Sequence, residues 1–346
     1  MEEQRNISDF LDQFPQPGFL VKDNKVLKVN QAAAAMLITP EQSFSGLIHA
    51  GNEDYSAFRE GQICLTLVIG GQQHNAVVTR METWDLVVLD QQEDLEEFRS
   101  MALVSMEMRQ PLMQAISSAK QLESQNPAAA KMNQSLMQML RLVSNMADIS
   151  RYTLSSRMET RDVDALLLEL FEKAQTLTTG KISLSFEGLK QPVFSLVDPE
   201  QLERSVWNIL SNCIKFMPQG GTVTAKLTRQ GRMLRLTVED SGSGIADAVR
   251  GNLFRRYQRQ PGIEDSRYGL GLGLAIVRTA AANHGGTVLI SNTANGGTRI
   301  TLTMSIRQNE DTALRSPLLR PDYTGGWDHG LVELSDCLPP EMYRAL

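Results

Sequence analysis

From Asp94 to about Ser155 apolar residues fall at helical spacing in two consecutive runs, and this doubled pattern constrains the architecture more tightly than any other stretch. The first run passes through Leu95, Phe98, Met101, Ala102, Val104, Leu112, Ala115, Ile116, Ala119 and Leu122, and Asn126-Pro127 punctuates its end. The second starts at Ala128 and continues through Met132, Leu136, Met139, Leu140, Val143, Met146, Ala147 and Ile149. Two long helices with so short a connection must pack antiparallel. One such hairpin cannot bury the apolar stripe it presents, so a second copy completing a four-helix bundle is expected. The methionines along both runs read as adaptable core filler rather than as a binding surface.

The text on either side has a different rhythm. Upstream, Phe19 to Ala35 gives two short strand-like runs around the turn Asp23-Asn24 and then a small-residue helix start. Alternating runs follow at Ile63–Ile69, Asn75–Arg80 and Leu86–Leu89, the first two joined through Gly70-Gly71. Downstream, helix and strand patterns alternate: a helix at Val163–Thr176, strands at Ile182–Phe186 and Val193–Leu196, a helix carrying NILSNCIKF, and strands at Thr222–Thr228 and Met233–Glu239. After a glycine-rich stretch come a helix from Leu274 to Ala282 and strands at Thr287–Ser291 and Thr298–Ile306. The chain is therefore expected to be multidomain and α+β, with modules at residues 1–92, 93–157 and 158–308 and an extension at 309–346. That extension is rich in Pro and Gly yet holds Tyr323, Trp327, Leu331, Val332, Leu334 and Tyr343, which is too apolar for a solvated tail. It is expected either to pack back on a domain or to dock on a partner.

Composition removes several classes of function. The formal net charge of -6 and the absence of any Lys/Arg run argue against nucleic acid as a partner. The longest apolar stretch near the start, Ala32 to Ile38, is far short of the roughly 20 residues a bilayer requires. The N-terminus lacks a signal peptide's basic and apolar regions, so a cytoplasmic protein without a membrane span is expected. Cys64, Cys213 and Cys337 are odd in number and widely spaced, which suggests buried thiols rather than a disulfide framework or a zinc site. His49 and His74 are the only candidates for a haem ligand in the first module and read as surface histidines.

Four motifs carry the chemistry. Ser105 to Leu112 reads SMEMRQPL, residues 208–216 read NILSNCIKF, residues 240–245 read DSGSGI, and residues 268–277 read YGLGLGLAIV. Asn208 and Asn212 lie one helical turn apart, so their amides face the same way, and Lys215 follows on nearly the same face. Asp240 ends an alternating strand and precedes glycines that would let backbone approach a ligand closely. Gly269, Gly271 and Gly273 open a helix, where free N–H groups and flexible backbone favour an anion.

In order and spacing these motifs resemble those of two-component sensor histidine kinases. The likeness spans about Asp94 to Ile306, and the first module is similar to a PAS sensor domain. The resemblance implies a PAS-like α/β sensor, a dimerisation and histidine phosphotransfer hairpin, and an α/β sandwich ATPase of the histidine kinase, gyrase B and Hsp90 type. It implies ATP and Mg²⁺ as cofactors, with Asn212 as the Mg²⁺ ligand and Asn208 where related ATPases place an activating carboxylate. Lys215 would contact phosphate, and Asp240 would accept from the adenine amino group beside Gly242 and Gly244. Arg256, in the segment Phe254 to Arg259 that resembles the opening of a lid, would reach the phosphates; Gly269, Gly271 and Gly273 would flank them. Magnesium prefers oxygen ligands and keeps several waters, so one amide together with phosphate oxygens suffices.

The first motif departs from the family. Met106 stands where the nucleophilic histidine belongs, beside Glu107, the carboxylate that would deprotonate it. A thioether has no proton to give up and forms no stable phosphorylated product. Gln110 occupies the position that orients water for response-regulator dephosphorylation, while Arg109 and Pro111 are retained. The expectation is a regulatory pseudo-kinase that binds ATP-Mg, dimerises through the hairpin and does not phosphorylate itself at the usual place. A partner histidine kinase or response regulator would then read its state. The alternative is an enzyme that phosphorylates a histidine on a partner in trans. A serine kinase of the anti-sigma type fits poorly, because it needs no long hairpin.

Overall fold

The computed structural model describes residues 11, 15–89, 95–119, 127–154, 156–245, 271–307 and 322–344. In the first module, β1 (Gly18–Lys22) and β2 (Lys25–Val29) lead to the short helix α1 (Gln31–Ala35), whose first turn is capped by the Asn30 side chain. There follow β3 (Ile48–Ala50), α2 (Asn52–Ala57), β4 (Gln62–Ile69), β5 (Gln72–Arg80) and β6 (Asp85–Leu89), all antiparallel in their pairings. Alternation in β4 and β5 puts Ile63, Leu65, Leu67, Ala76 and Val78 into a core with Phe19, Phe44 and Val87.

Two long helices follow, α3 (Leu95–Ala119) and α4 (Pro127–Leu154), which pack along one another. Pro111 lies inside α3, and the helical spacing expected out to Leu122 ends at Ala119 among the described residues. The third module comprises β7 (Glu159–Asp162), α5 (Val163–Thr178), β8 (Ser183–Glu187), β9 (Phe194–Val197), α6 (Pro199–Lys215), β10 (Thr222–Gln230) and β11 (Met233–Asp240). It continues with α7 (Leu272–Asn283), β12 (Val288–Asn292) and β13 (Thr298–Ser305). Helix α6 is locally encoded: Asp198 caps it by accepting from Gln201 N at 3.1 Å, and Pro199 suits a first position whose N–H has no helical partner.

Strands of the first and third modules form one sheet of eleven described strands, in the order β2-β1-β6-β5-β4-β12-β13-β11-β10-β8, with β3 also paired to β4. The joint is β4 against β12, with Cys64 opposite Val288, Ile63 opposite Leu289 and Gln62 opposite Ile290. Beside it, Asp54 of α2 is buried and accepts from Thr287 Oγ1 at 2.8 Å, Thr303 Oγ1 at 3.1 Å and Arg235 Nη2 at 2.6 Å. A carboxylate this enclosed is tolerable because each partner is a donor.

The hairpin departs in one respect from its sequence reading. Leu136, Met137, Leu140 and Val143 of α4 are buried in the same core as Trp207, Val277 and Val332, so part of the apolar stripe is covered within the chain. Helices α6 and α7 and the C-terminal residues supply the cover. What remains exposed is Leu103, Val104, Met106 and Met108 on α3 and Met132, Met139 and Leu142 on α4.

The described part of the C-terminal extension, residues 322–344, packs back on the chain. It contains α8 (His329–Glu333), capped by Asp328, and a 3-10 turn at Pro340–Tyr343. Val332, Leu334, Leu338 and Tyr343 are buried in the main core. Hydrophobic content in this segment thus serves intramolecular packing, the first of its two expected roles.

Candidate nucleotide site

Three elements converge on the motifs. Helix α6 presents Arg204, Asn208, Ser211, Asn212 and Lys215 at spacings of three and four, hence along one face. The face is polar but largely enclosed, with Arg204, Asn208 and Ser211 all buried. Asn208 is committed: its Nδ2 donates to Arg204 O at 2.9 Å, and its Oδ1 accepts from Arg141 Nη2 of α4 at 3.3 Å. Asn212 is half-buried, and among the described residues its side-chain amide has no hydrogen-bond partner. It is therefore open to a ligand.

Strand β11 ends at Asp240, which is buried and held from two sides. Its Oδ1 accepts from Gly242 N at 2.8 Å and from Thr298 N at 3.1 Å. These bonds fix one carboxylate oxygen and the direction of the other. The same acid acts on Cys213 of α6, whose thiol is pushed well up, first by burial and then by the neighbouring Asp240 charge. Asn292 closes the far end of the loop: its Oδ1 accepts from Ile245 N at 2.8 Å and its Nδ2 donates to Ile245 O at 3.2 Å. Gly244 lies between, with φ of 69°.

Helix α7 begins at Gly271, whose φ of 70° is the left-handed conformation that glycine adopts without penalty. Two residues on, Gly273 abuts α6 so closely that a Cβ there would sit 2.8 Å from Asn208 Oδ1. The start of α7 and the asparagines of α6 are thereby brought together. At the other end of α7, His284 Nε2 accepts from Asp198 N at 3.0 Å and its Nδ1 lies 2.6 Å from Ala280 O, which fixes the neutral tautomer with the proton on Nδ1. Burial lowers its pKa from 6.5, against opposing contributions from Ala280 and Asp198.

Lys215, expected on phosphate, donates here from Nζ to Asp336 Oδ2 at 2.8 Å, and Arg141 Nη1 donates to the same oxygen at 2.8 Å. Arg204 and Arg141 also flank the fully buried Glu333, at 3.2 and 3.3 Å. Burial raises the Asp336 pKa, but Arg141 and Lys215 outweigh it and hold the carboxyl below its ordinary range.

The SMEMRQPL motif is differently placed. Ser105 is buried, Met106 is 66% exposed, and Glu107 and Gln110 are exposed. Glu107 makes no hydrogen bond or ion pair among the described residues. Arg109 donates to the Tyr323 carbonyl, so the motif touches the C-terminal segment. The expected Arg256 and Gly269, together with Phe254, Arg255, Tyr257 and Arg259, lie outside the described residues.

Sequence reasoning assigned no role to Arg141, Asn292 or Asp336. Asn292 carried a faint signal, a polar residue at the end of an alternating strand as at Asp240. Arg141 and Asp336 carried none, since each is an ordinary charge until the fold brings them within 2.8 Å.

Residues 197–308 match the model for the histidine kinase-, DNA gyrase B- and HSP90-like ATPase. Residues 197–308 therefore carry a histidine-kinase-like ATPase domain, and the relatives that the chain resembles are histidine kinases. The chain is 30% identical over 191 residues to hybrid signal transduction histidine kinase D of Dictyostelium discoideum, covering 51% of this chain and 12% of that relative. An uncharacterized sensor-like histidine kinase of Rhizobium meliloti is 29% identical over 272 residues, which is 69% of this chain and 50% of the relative. The chain thus spans half or less of the length of these family members. Among solved structures, full-length ShkA in complex with AMPPNP is 23% identical with a TM-score of 0.49, covering 61% of this chain and 46% of that one. The mycobacterial sensor histidine kinase MprB is 27% identical with a TM-score of 0.37, covering 44% of this chain and 99% of that one. The described elements around that ATPase domain are of mixed α/β architecture. No helix among the described residues is long and apolar enough to cross a membrane.

The residues present suit ATP. Asp240 offers a fixed acceptor, Asn212 an open amide, and the close approach at Gly273 leaves backbone rather than side chain at the start of α7. No group of three or more His, Cys, Asp or Glu side chains gathers among the described residues. A magnesium ion that keeps its water and the nucleotide's own oxygens needs no such cluster, and the Asn212 amide oxygen would be the side-chain ligand in reach.

Proposed function

We propose that the protein is a regulatory histidine-kinase-like protein that binds ATP-Mg and does not phosphorylate itself at the position of the missing histidine. The observation that carries this reading is the contrast between Asp240, fixed by Gly242 N and Thr298 N, and Met106, an exposed thioether at the acceptor position. Asp240 would select the adenine amino group, Asn212 would hold the metal, and the glycines at the start of α7 would flank the phosphates. Asn292 keeps the Asp240 loop in place through Ile245. Bound nucleotide would supply a phosphoryl donor, but α3 offers no imidazole to receive it. Residues 1–92 read as a PAS-like sensor, 93–157 as the dimerisation hairpin, 158–308 as the ATPase domain and 309–346 as an extension. The exposed residues Leu103, Val104, Met106 and Met108 suit pairing with a second hairpin.

The test is titration of a fluorescent ATP analogue with magnesium, followed by incubation with γ-labelled ATP. Saturable binding without covalent label supports the reading; absence of binding, or label on the wild-type chain, overturns it. A second reading, transfer to a histidine on a partner in trans, draws on the same exposed face of α3. Label on a partner whose own ATP site is disabled would favour it.

A further inference from the structure

The strongest feature left over is the meeting of Arg141, Lys215 and Asp336. Two cations from different modules, Arg141 from the hairpin and Lys215 from α6, converge on the same oxygen of one carboxylate, each at 2.8 Å. Both cations are largely enclosed, with side-chain exposures of 6% and 13%, whereas Asp336 retains 31%. Arg141 reaches Asn208 Oδ1 with its other terminal nitrogen, which ties this pair of charges to the helix face that carries Asn212. The carboxylate thus occupies an anion position between Arg141 and Lys215, the latter on the helix face that carries Asn212.

Asp336 is delivered by a segment held mainly through its backbone. Gln134 Nε2 donates to Ser335 O at 2.9 Å and Leu338 O at 2.7 Å, Gln138 Nε2 to Ser335 O at 3.1 Å, and Asn133 Nδ2 to Tyr343 O at 3.0 Å. Lys181 donates to the Cys337 carbonyl. These contacts align the strap along α4 and α6 whatever residue stands at 336. Only the Asp336 side chain enters the seat between the two cations.

We propose that Arg141 and Lys215 form a seat for the terminal phosphate of a nucleoside triphosphate, and that Asp336 is its internal occupant, so that strap and polyphosphate compete. The inference rests on the nucleotide reading above and adds to it a phosphate-positioning residue from the hairpin and a competitor within the chain. Two positive charges in an enclosed site favour an anion strongly, and a phosphate outbids a single carboxylate in charge and in acceptor oxygens. Arg141 then links nucleotide occupancy to the hairpin, because the same guanidinium contacts either the strap or the phosphate. Competition reduces apparent affinity by the fraction of molecules in which the seat is free, so a seat filled nine times in ten costs about tenfold.

Calorimetric titration of the full chain with Mg·AMP-PNP and with adenosine tests the seat. Asp336→Asn is expected to bind AMP-PNP about tenfold more tightly than wild type, with adenosine affinity unchanged, and Arg141→Gln in the same chain is expected to remove the gain. Unchanged AMP-PNP affinity in Asp336→Asn, with the wild type still binding both ligands, overturns the seat and leaves the nucleotide site standing. A gain that survives Arg141→Gln also overturns it. No binding of either ligand by any variant overturns site and seat together. Hydrogen exchange on the wild type needs no substitution: AMP-PNP is expected to accelerate exchange in residues 328–344, and unchanged exchange with nucleotide bound contradicts the competition.

Discussion

Helices α3 and α6 each carry a motif of the same family, and they are built in opposite ways. On α6 nearly every turn is committed: Asp198 caps it, Trp207 is fully buried, Arg204 pairs with Asp148 and Glu333, and Asn208 is held by Arg141. On α3 the motif leaves Met106, Glu107 and Gln110 exposed, and Arg109 ties it to the strap. The difference locates the structural investment at the nucleotide end. On the proposed reading α3 transfers nothing and needs only to pack, and it packs through Leu112, Ile116 and Ala119 on its other face.

The sharpest way to break this comparison is to attack each helix's region where its role is expected to reside. Asp240→Asn keeps the shape but removes the charge and one acceptor, and is expected to weaken ATP-analogue binding by about a hundredfold, from the ~1.5–3 kcal/mol that hydrogen bonds to charged groups contribute. Fluorescence titration reads it, with the thermal melt confirming that the loop fixed by Gly242 and Thr298 still folds. Comparable in size is Asp54→Ala at the sheet joint, which strands Arg235 and two threonine hydroxyls. Breaking a buried pair by removing one member costs about 3 kcal/mol, seen as a lower urea midpoint.

Acidification gives a smaller effect that belongs to the α6 side. His284 has a folded pKa below its ordinary value of 6.5, so the folded state binds its proton less readily than the unfolded chain does. Its contribution is fully present above about pH 6.5 and is lost as the pH falls through the lowered value. Urea titrations from neutral pH downward should show this loss, and His284→Gln should flatten it. The smallest effect is expected on α3: Met106→Ala should change stability by about 0.5 kcal/mol or less and leave nucleotide affinity intact, as for an exposed side chain without polar contacts.

Much of this contrast could be read in the sequence, because local rules write it. The alternation of Leu234, Leu236 and Val238 into Asp240, and the spacing of Asn208, Asn212 and Lys215, placed these residues on β11 and α6 where the structure has them. What could not be read is non-local. The pairing of Gln62–Cys64 with Val288–Ile290 joins segments that each look like ordinary edge strands. Asp54 is an unremarked acid on a short helix until Thr287, Thr303 and Arg235 surround it. The strap was legible as apolar but not as charged cargo, since the roles of Glu333 and Asp336 exist only opposite Arg204, Arg141 and Lys215. The hairpin's apolar stripe was assigned to a second copy, though part of it is covered within the chain, because periodicity reports that a face is buried and not by what.

The central claim is that the donor end is built and the acceptor is missing, and restoring the acceptor tests it most directly. Wild-type protein and Met106→His, each with Asn212→Ala as control, would be incubated with γ-labelled ATP and magnesium and assayed for acid-labile label. The account predicts no label on the wild type, label on Met106→His, and its loss when Asn212 is also replaced. Label on the wild type, or none on a Met106→His protein that binds the nucleotide, would contradict it.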